Sequence, residues 1–421
     1  MKTADKLAKY VLPTYARFPV TLVEGDGARV SDDEGKEYLD FCGGIAVCSL
    51  GHCHPRMVEA IREQAGKLIH VSNLYRIPKQ AELARMIVED FVGLPGKVFF
   101  ANSGAEANDG LIKTARRFGN RRPAPDGSPR FEILTFNQSF HGRTLGAMSA
   151  TAQVKIHEGF APLLSGFRYL PFNDPGALRA AIRPETVAIL LEPVQGEGGV
   201  NVADVEFIRA IAEMCGEHDL LLFFDEVQCG FGRCGEAMAW RAIAPGLEPD
   251  GISWAKGLGG GVPIGAFWIS DRVIDPEATE LSSSMGAGSH GSTFGGNPLV
   301  CAAALAVLSE IAEKDLAANA RRQNARIHEI IGSWGLPAVT EVRGLGLLVG
   351  IGLDPEAFSL DKGVTPAIAV VHRCLDLGML IPPAGPHTVR LLPPLNVIDE
   401  EVDEALKILR QALEEVAEES D

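Results

Sequence analysis

The sequence predicts an α/β fold: a large domain with a mostly parallel central sheet flanked by helices, plus a smaller α+β domain. Two observations predict it. Short apolar runs of β-formers alternate with helix-length segments through the middle of the chain: KVFFA (97–101), FEILTF (131–136), VAILLEPV (187–194), LLFFDEVQ (221–228) and GISWAKGL (251–258). Such runs, bounded by turn residues, are parallel strands joined by helical crossovers. After Arg343 the pattern changes to GLGLLVGIGL and TVRLLPPLN, which suit a second, smaller unit. The 421 residues are 46% hydrophobic and 22% charged, enough to bury the core of more than one domain.

The elements follow in chain order. VTLVEGDGARVSDDEGKEYLDF reads as short strands with turns at GDG and DEG. CSLGHCHP places Cys48, His52, Cys53 and His54 together, but no second ligand pair at zinc spacing follows. It reads as a turn before a helix that begins at Pro55, with no metal. SGAEAN (103–108) is a capping box, Ser103 at N-cap and Glu106 at N3. Asn297 and Pro298 start a helix through Cys301 to Ile311. The expected division is an N-terminal segment, 1–56, packing with the small domain; a large cofactor-binding domain, 57–296; and a C-terminal small α+β domain, 297–421.

Composition narrows the function. A formal net charge of −16 argues against nucleic acid or an anionic membrane as partner. No apolar stretch reaches membrane-spanning length, and MKTADKLAKY lacks the apolar core of a secretory leader, so a cytoplasmic location is expected. The eight cysteines are scattered and read as reduced thiols.

In parallel sheets ligands gather at the carboxyl ends of strands. The polar residues Ser103, Glu192, Asp225 and Lys256 sit at those ends. LLFFDE resembles the strand that places an aspartate on magnesium in nucleotide hydrolases. The required phosphate loop is absent: Gly35-Lys36, Gly66-Lys67 and Gly96-Lys97 are not followed by Ser or Thr. GLGLLVG lacks dinucleotide-binding spacing. Lys256 follows the apolar run ISWA and precedes a glycine-rich loop, so burial strips its hydration. Asp225 and Lys256 lie on consecutive strands, 31 residues apart, and both can face one crevice. Gly104 and the helix start at Ser103 suit a phosphate. A phosphate cradle, a buried carboxylate and a desolvated lysine are what pyridoxal 5'-phosphate needs. The plainer alternative is a well-capped helix beside a structural Asp225–Lys256 ion pair, which leaves the glycine-rich loops unexplained.

NSGAEAN, FHGRT, EPVQGEGGV, LLFFDEVQCGFGR, AKGLGGGVPIGA and HGSTFGGNP occur together and in order. Nearly the whole chain thereby resembles the class III (ω-amino-acid) aminotransferases of the fold-type-I pyridoxal-phosphate superfamily. The resemblance implies a role for each matched residue. Lys256 would form the Schiff base and carry the proton. Asp225 would hold the pyridinium nitrogen. Phe140 and Val227 would press on the two ring faces, with Gln228 near the phenolic oxygen. Ser103, Gly104 and Ala105 would hold the phosphate, helped by Thr293 from a neighbouring subunit. That last role implies a homodimer with shared active sites.

For substrates, the resemblance makes Arg143 the grip on a distal carboxylate and Arg390 the grip on the α-carboxylate of glutamate or 2-oxoglutarate. Glu197 would neutralise Arg390 when the donor lacks a carboxylate on its reacting carbon, then swing away. Tyr15 and Ser292 complete the expected substrate set. Ile45 stands where ornithine-specific members carry a tyrosine, and Tyr15 matches a tyrosine that meets a donor α-carboxylate. The pair favours N2-acetylornithine over free ornithine or 4-aminobutyrate. Succinylornithine and N-succinyl-diaminopimelate stay open as donors, as does, outside transamination, an aminomutase or decarboxylase. Phe294 replaces a commoner tyrosine, and Cys229 and Cys234 flank the turn after Asp225 in place of the usual residues.

Overall fold

The computed structural model describes residues 2–418. The apolar runs form one seven-stranded sheet: β1 Gly96–Ala101, β2 Glu132–Phe136, β3 Phe167–Leu170, β4 Thr186–Leu191, β5 Leu221–Asp225, β6 Gly251–Trp254 and β7 Gly265–Ser270. The order across the sheet is β1-β7-β6-β5-β4-β2-β3. Neighbours are parallel except at β7, which runs antiparallel to both β6 and β1. The α/β class read from the sequence is the one observed. Two strands escaped the sequence reading: β3 has four residues, too few for a pattern, and β7 follows the glycine-rich GGGVPIG, which reads as loop.

KVFFA and FEILTF end where expected, while the runs at 187–194, 221–228 and 251–258 stop sooner, the last two for local reasons. At β5 the Asp225 Oδ1 accepts the N–H of Val227 at 3.0 Å, an Asx turn that peels the backbone off the sheet. After β6 the chain enters a single 3₁₀ turn, Lys256–Leu258, with Lys256 in the left-handed region at φ 40°.

Both faces of the sheet are buried. Along β5, Leu221 and Phe223 join one apolar cluster while Leu222 and Phe224 join another, the two-residue alternation of a strand. The first cluster takes Leu111, Ala115 and Phe118 from the helix Gly104–Arg121. The second takes Phe207, Ile208 and Ile211 from the helix Val205–His218. Each of the Leu, Ile and Phe side chains contributes about 1.5–3 kcal/mol by leaving water. The helix Gly104–Arg121 approaches the sheet closely because residue 110 is glycine; a side chain there would overlap the Phe267 ring.

The register decides where the chemistry can sit. Leu191 pairs with Phe224 and Asp225 with Ser253, so β4, β5 and β6 end at one edge. Antiparallel β7 starts at that same edge, with Gly265 opposite Ala101 at the end of β1. Residues 101–104, 192, 225 and 256 therefore converge.

Beyond the sheet, the helix Pro298–Glu313 starts at Asn297, whose Oδ1 accepts the N–H groups of Leu299 and Val300 at 3.1 Å. Strands Val339–Leu345, Leu348–Leu353 and Thr388–Leu391 form an antiparallel sheet. The N-terminal strands Leu22–Asp26, Arg29–Asp32 and Glu37–Asp40 pair in series, and Met379–Leu380 adds to the last of them in parallel. Among the described residues, no helix is long and apolar enough to cross a membrane.

Candidate active site

Lys256 lies at the centre of the converging edge. Among the described residues its amine makes no hydrogen bond or ion pair. Burial lowers its pKa below that of an ordinary lysine; Arg390 pushes the same way, while Glu197, Asp225 and Glu192 oppose. The net result is an amine that sheds its proton more readily than a surface lysine. The alternative of a structural Asp225–Lys256 ion pair is not what forms.

Asp225 spends its carboxylate elsewhere. Its Oδ2 accepts from Asn108 Nδ2 at 2.7 Å and lies 2.8 Å from His141 Nδ1, and its Oδ1 takes the Val227 N–H. Asn108 is aligned in turn: its Oδ1 accepts from Ser253 Oγ at 2.6 Å, and its Nδ2 also donates to the His141 carbonyl at 2.7 Å. Asp225, Asn108 and His141 are all buried. The carboxylate is therefore held rigidly and keeps acceptor capacity for one more donor.

Glu226, next in the chain, is buried as well. Its Oε1 accepts the Trp240 N–H at 2.9 Å, and its Oε2 has no hydrogen-bond partner among the described residues. Burial pushes this carboxyl up to about 7. A folded-state pKa above the unfolded one means that this group's contribution to stability is present below about pH 4.3 and lost as pH rises to about 7. Glu226→Gln, neutral at every pH, is therefore expected to gain on the wild type by about 3 kcal/mol between pH 4.5 and pH 8. Urea midpoints at the two pH values check this; an equal difference at both would show that folding does not titrate Glu226.

The helix start behaves as a cradle. Ser103 Oγ accepts the Glu106 N–H at 3.2 Å, as predicted. The reciprocal half differs: the Glu106 carboxylate reaches one residue further back, to the N–H of Asn102 at 2.7 Å and its side-chain amide at 2.8 Å. The N–H groups of Gly104 and Ala105 lie in the first turn, where no intrahelical acceptor exists. A Cβ on Gly104 would come within 2.8 Å of Val227, and one on Gly265 would overlap the Ser103 carbonyl. These glycines let Val227 and β7 pack closely against the helix start, whose free N–H groups suit an anion.

Opposite lies a buried charge cluster. Arg390, 1% exposed, donates from Nη1 to Glu197 Oε1 at 2.9 Å and from Nη2 to Glu197 Oε2 at 3.1 Å. Its Nη1 also reaches the Gly196 carbonyl at 3.0 Å and Gln228 Oε1 at 2.8 Å. Burial alone would raise the Glu197 pKa, but the charge and hydrogen bonds of Arg390 hold it below the ordinary value. Gln228 therefore spends its amide on this pair.

The other expected residues are placed unevenly. The Phe140 N–H donates to Glu192 Oε2 at 3.0 Å, and Arg143 lies 5.6 Å from the Phe140 ring centroid, exposed and without an ion-pair partner among the described residues. Burial, with Asp225 nearby, raises the Glu192 carboxyl well above the ordinary value. Ile45 sits in the turn Gly43–Ala46 at φ 64°, a strained conformation for a β-branched residue. Ser292 Oγ accepts from Asn102 Nδ2 at 3.1 Å, while Thr293 is exposed. Tyr15 is 75% exposed, with Arg17 over its ring. Cys229 and Cys234 are buried, and burial together with Cys234 pushes the Cys229 thiol up. His141, Asn108 and Ser253 were not singled out from the sequence. The available signal was a polar residue inside an apolar strand, Ser253, and a histidine within the quoted FHGRT.

Comparison with known proteins gives the family. The family model for class-III aminotransferases matches residues 10–413. An acetylornithine aminotransferase of Caldanaerobacter subterraneus is 47% identical over 97% of this chain and 98% of its own. One of Methanocaldococcus jannaschii is 43% identical over 98% of each. Among solved structures, N-acetylornithine aminotransferase from Stenotrophomonas maltophilia has a TM-score of 0.78 at 36% identity, over 95% of this chain and 97% of its own. An ornithine aminotransferase from Toxoplasma gondii, with pyridoxal phosphate in partial occupancy at its active site, has a TM-score of 0.89 at 32% identity, over 99% and 95%. The residues here fit that cofactor: an unpartnered amine, a rigid buried carboxylate and an open helix start. The chain belongs to the class III aminotransferases, pyridoxal-phosphate-dependent transaminases of the fold-type-I architecture.

Proposed function

We propose that this chain transfers the terminal amino group of N2-acetylornithine to 2-oxoglutarate, giving N-acetylglutamate 5-semialdehyde and glutamate, a step of arginine biosynthesis. The observation that carries this reading is the buried Arg390 closed by Glu197. An enzyme that takes an amine from a carbon without a carboxylate, and returns it to one with a carboxylate, needs a cation that can be covered and uncovered. The curated relatives named above act on acetylornithine. The higher TM-score of an ornithine enzyme does not compete with them, because backbone shape is common to the class while donor choice lies in side chains such as Ile45.

Pyridoxal phosphate, when bound, supplies the electron sink that lets the donor carbon lose its proton. The protein does the rest. Ser103, Gly104 and Ala105 would hold the phosphate, Phe140 and Val227 the ring faces, and Asp225 a proton on the ring nitrogen. Lys256 Nζ would take the proton from the donor carbon and deliver it back. Burial, which lowers its pKa, favours the neutral amine that this role needs. Arg143 would bind the distal carboxylate and Arg390 the one beside the reacting carbon, each as a bidentate fork. Tyr15 and Ser292 would line the donor's path.

A homodimer with shared sites goes with this reading. A cavity of about 1130 Å³ is lined by Leu74, Tyr75, Ser292 and Thr293, and Leu74 and Tyr75 are 89% and 68% exposed. A second copy would cover them and take Thr293 to its own phosphate. We also assign 57–296 to a large domain and 297–421 to a small one, with 1–56 a segment packing on the small one; the pairing of Glu37–Asp40 with Met379–Leu380 supports this. A cytoplasmic location completes the reading.

The deciding experiment is single-turnover absorbance of the holoenzyme with N2-acetylornithine, ornithine or 4-aminobutyrate and no oxoacid. Rapid bleaching of the cofactor band by acetylornithine, with slow change from the others, is expected. Equal or faster bleaching by either of the others would overturn the donor assignment. In the same assay, Glu197→Gln uncovers Arg390. Its acetylornithine half-reaction is expected to fall about ten-fold relative to its glutamate half-reaction. Equal effects on both would mean that the pair is no gate.

A further inference from the structure

The Glu197–Arg390 pair has a third member. Gln228 Nε2 donates to Glu197 Oε1 at 3.1 Å, and Gln228 Oε1 accepts from Arg390 Nη1 at 2.8 Å. A primary amide can donate to the carboxylate and accept from the guanidinium at once, and it carries no charge of its own. The close approach depends on residue 196 being glycine, since a side chain there would overlap the Gln228 amide. Gln228 is 7% exposed. Its backbone is tethered on both sides, by the Val227 N–H on Asp225 and by the Gly230 N–H on the Glu226 carbonyl at 3.0 Å. The backbone around Glu197 is held too, since the Gly196 and Gly198 carbonyls accept from Arg390 Nη1 at 3.0 Å and Asn201 Nδ2 at 2.9 Å. The Glu197 side chain is 28% exposed and that of Arg390 1%, so Glu197 is the partner with room to turn away.

We infer that Gln228 is a latch: it holds Glu197 on Arg390 and so sets how readily the pair opens to a carboxylate on the reacting carbon. The inference rests on the gating reading of the pair given above. When Glu197 leaves, Gln228 Nε2 loses its acceptor, while Gln228 Oε1 keeps Arg390 aimed at the incoming carboxylate. The latch therefore favours the closed state and lowers apparent affinity for the carboxylate partner by the fraction of sites that are closed. It acts as a positioning residue, through Glu197, on the choice between the two substrates.

The test uses the holoenzyme and glutarate, a dicarboxylate that cannot react. Gln228→Leu fills similar space but neither donates nor accepts. Its glutarate affinity by calorimetry is expected to rise about ten-fold, as for loss of one hydrogen bond to a charged group. The KM for glutamate should fall in step, and the acetylornithine half-reaction should not gain. Gln228→Glu is the opposite case: its carboxylate repels Glu197 and occupies Arg390 without being able to leave, so glutarate binds more weakly than to the wild type. Opposite shifts from the two variants cannot arise from general damage. Weaker glutarate binding in both, or equal changes in both half-reactions with a shifted cofactor absorbance band, would overturn the latch and make Gln228 a residue of the fold or the cofactor. Glu197→Gln separates the underlying reading. If it leaves glutarate affinity unchanged, the gate itself fails; if it raises affinity while Gln228→Leu does not, only the latch fails.

Discussion

Replacing Lys256 with alanine is expected to lower kcat by about 10⁴, the upper end of what a positioned acid–base group supplies. No other group at this sheet edge combines its features: an amine with no partner, at the end of β6, beside the carboxylates of Glu197, Asp225 and Glu192. Arg390 is a permanent cation and cannot take up a proton. Glu192 already spends its Oε2 on the Phe140 N–H at 3.0 Å. The variant should also lose covalent attachment: borohydride treatment fixes cofactor to the wild type and not to K256A. The pH profile carries a sign. With its pKa lowered, Lys256 is available as the neutral amine at lower pH than a surface lysine would be, so activity falls only below that depressed value. Activity within ten-fold of wild type in K256A would remove Lys256 from the proton transfer. Partial restoration by added methylamine would strengthen the assignment.

Much of this arrangement is legible in the sequence because it is periodic or local. Strand β5 reads from LLFFD, its buried faces make the run continuously apolar, and the Asp225–Lys256 spacing follows from one crossover between parallel neighbours. Ser103 as N-cap is local and is observed. What stays hidden depends on contacts between distant segments. The Asp225 network joins residues 108, 141, 225 and 253 from four segments, and only the register of β5 and β6 brings Ser253 beside Asp225. The Gln228 amide meets Glu197 and Arg390 across separations of 31 and 162 residues, which no spacing rule anticipates. Strand β7 stays hidden for another reason. Its glycine-rich approach has the composition of a loop, and the small residue at Gly265 is needed for close passage by Ser103.

Replacing Asp225 tests whether its carboxylate serves chemistry or only the fold. Asp225→Ala strips the acceptor from Asn108 Nδ2, His141 Nδ1 and the Val227 N–H at once. Asn108 Nδ2 keeps the His141 carbonyl, so two donors are left unpaired; at about 1–3 kcal/mol each, not fully additive, a loss of about 3 kcal/mol or more is expected. That is a large part of the 5–15 kcal/mol typical of a folded domain, so the alanine variant confounds folding with activity. Asp225→Asn is the sharper probe. Its oxygen can face Asn108 and His141, but its NH₂ then meets the Val227 N–H, at about 2 kcal/mol, which leaves the protein folded. The charge is gone, however, and with it the means to keep a proton on the ring nitrogen. A fall in kcat of about 10²–10³ is expected, of the size seen when one preorganised electrostatic partner is removed. Urea unfolding and half-reaction rates on the same preparation separate the two effects. If D225N shows the expected stability loss but keeps more than a tenth of wild-type kcat, the carboxylate exists to anchor His141 and Asn108. If the rate falls a hundred-fold with a small shift in the urea midpoint, the network around Asp225 exists to hold a charge against the cofactor.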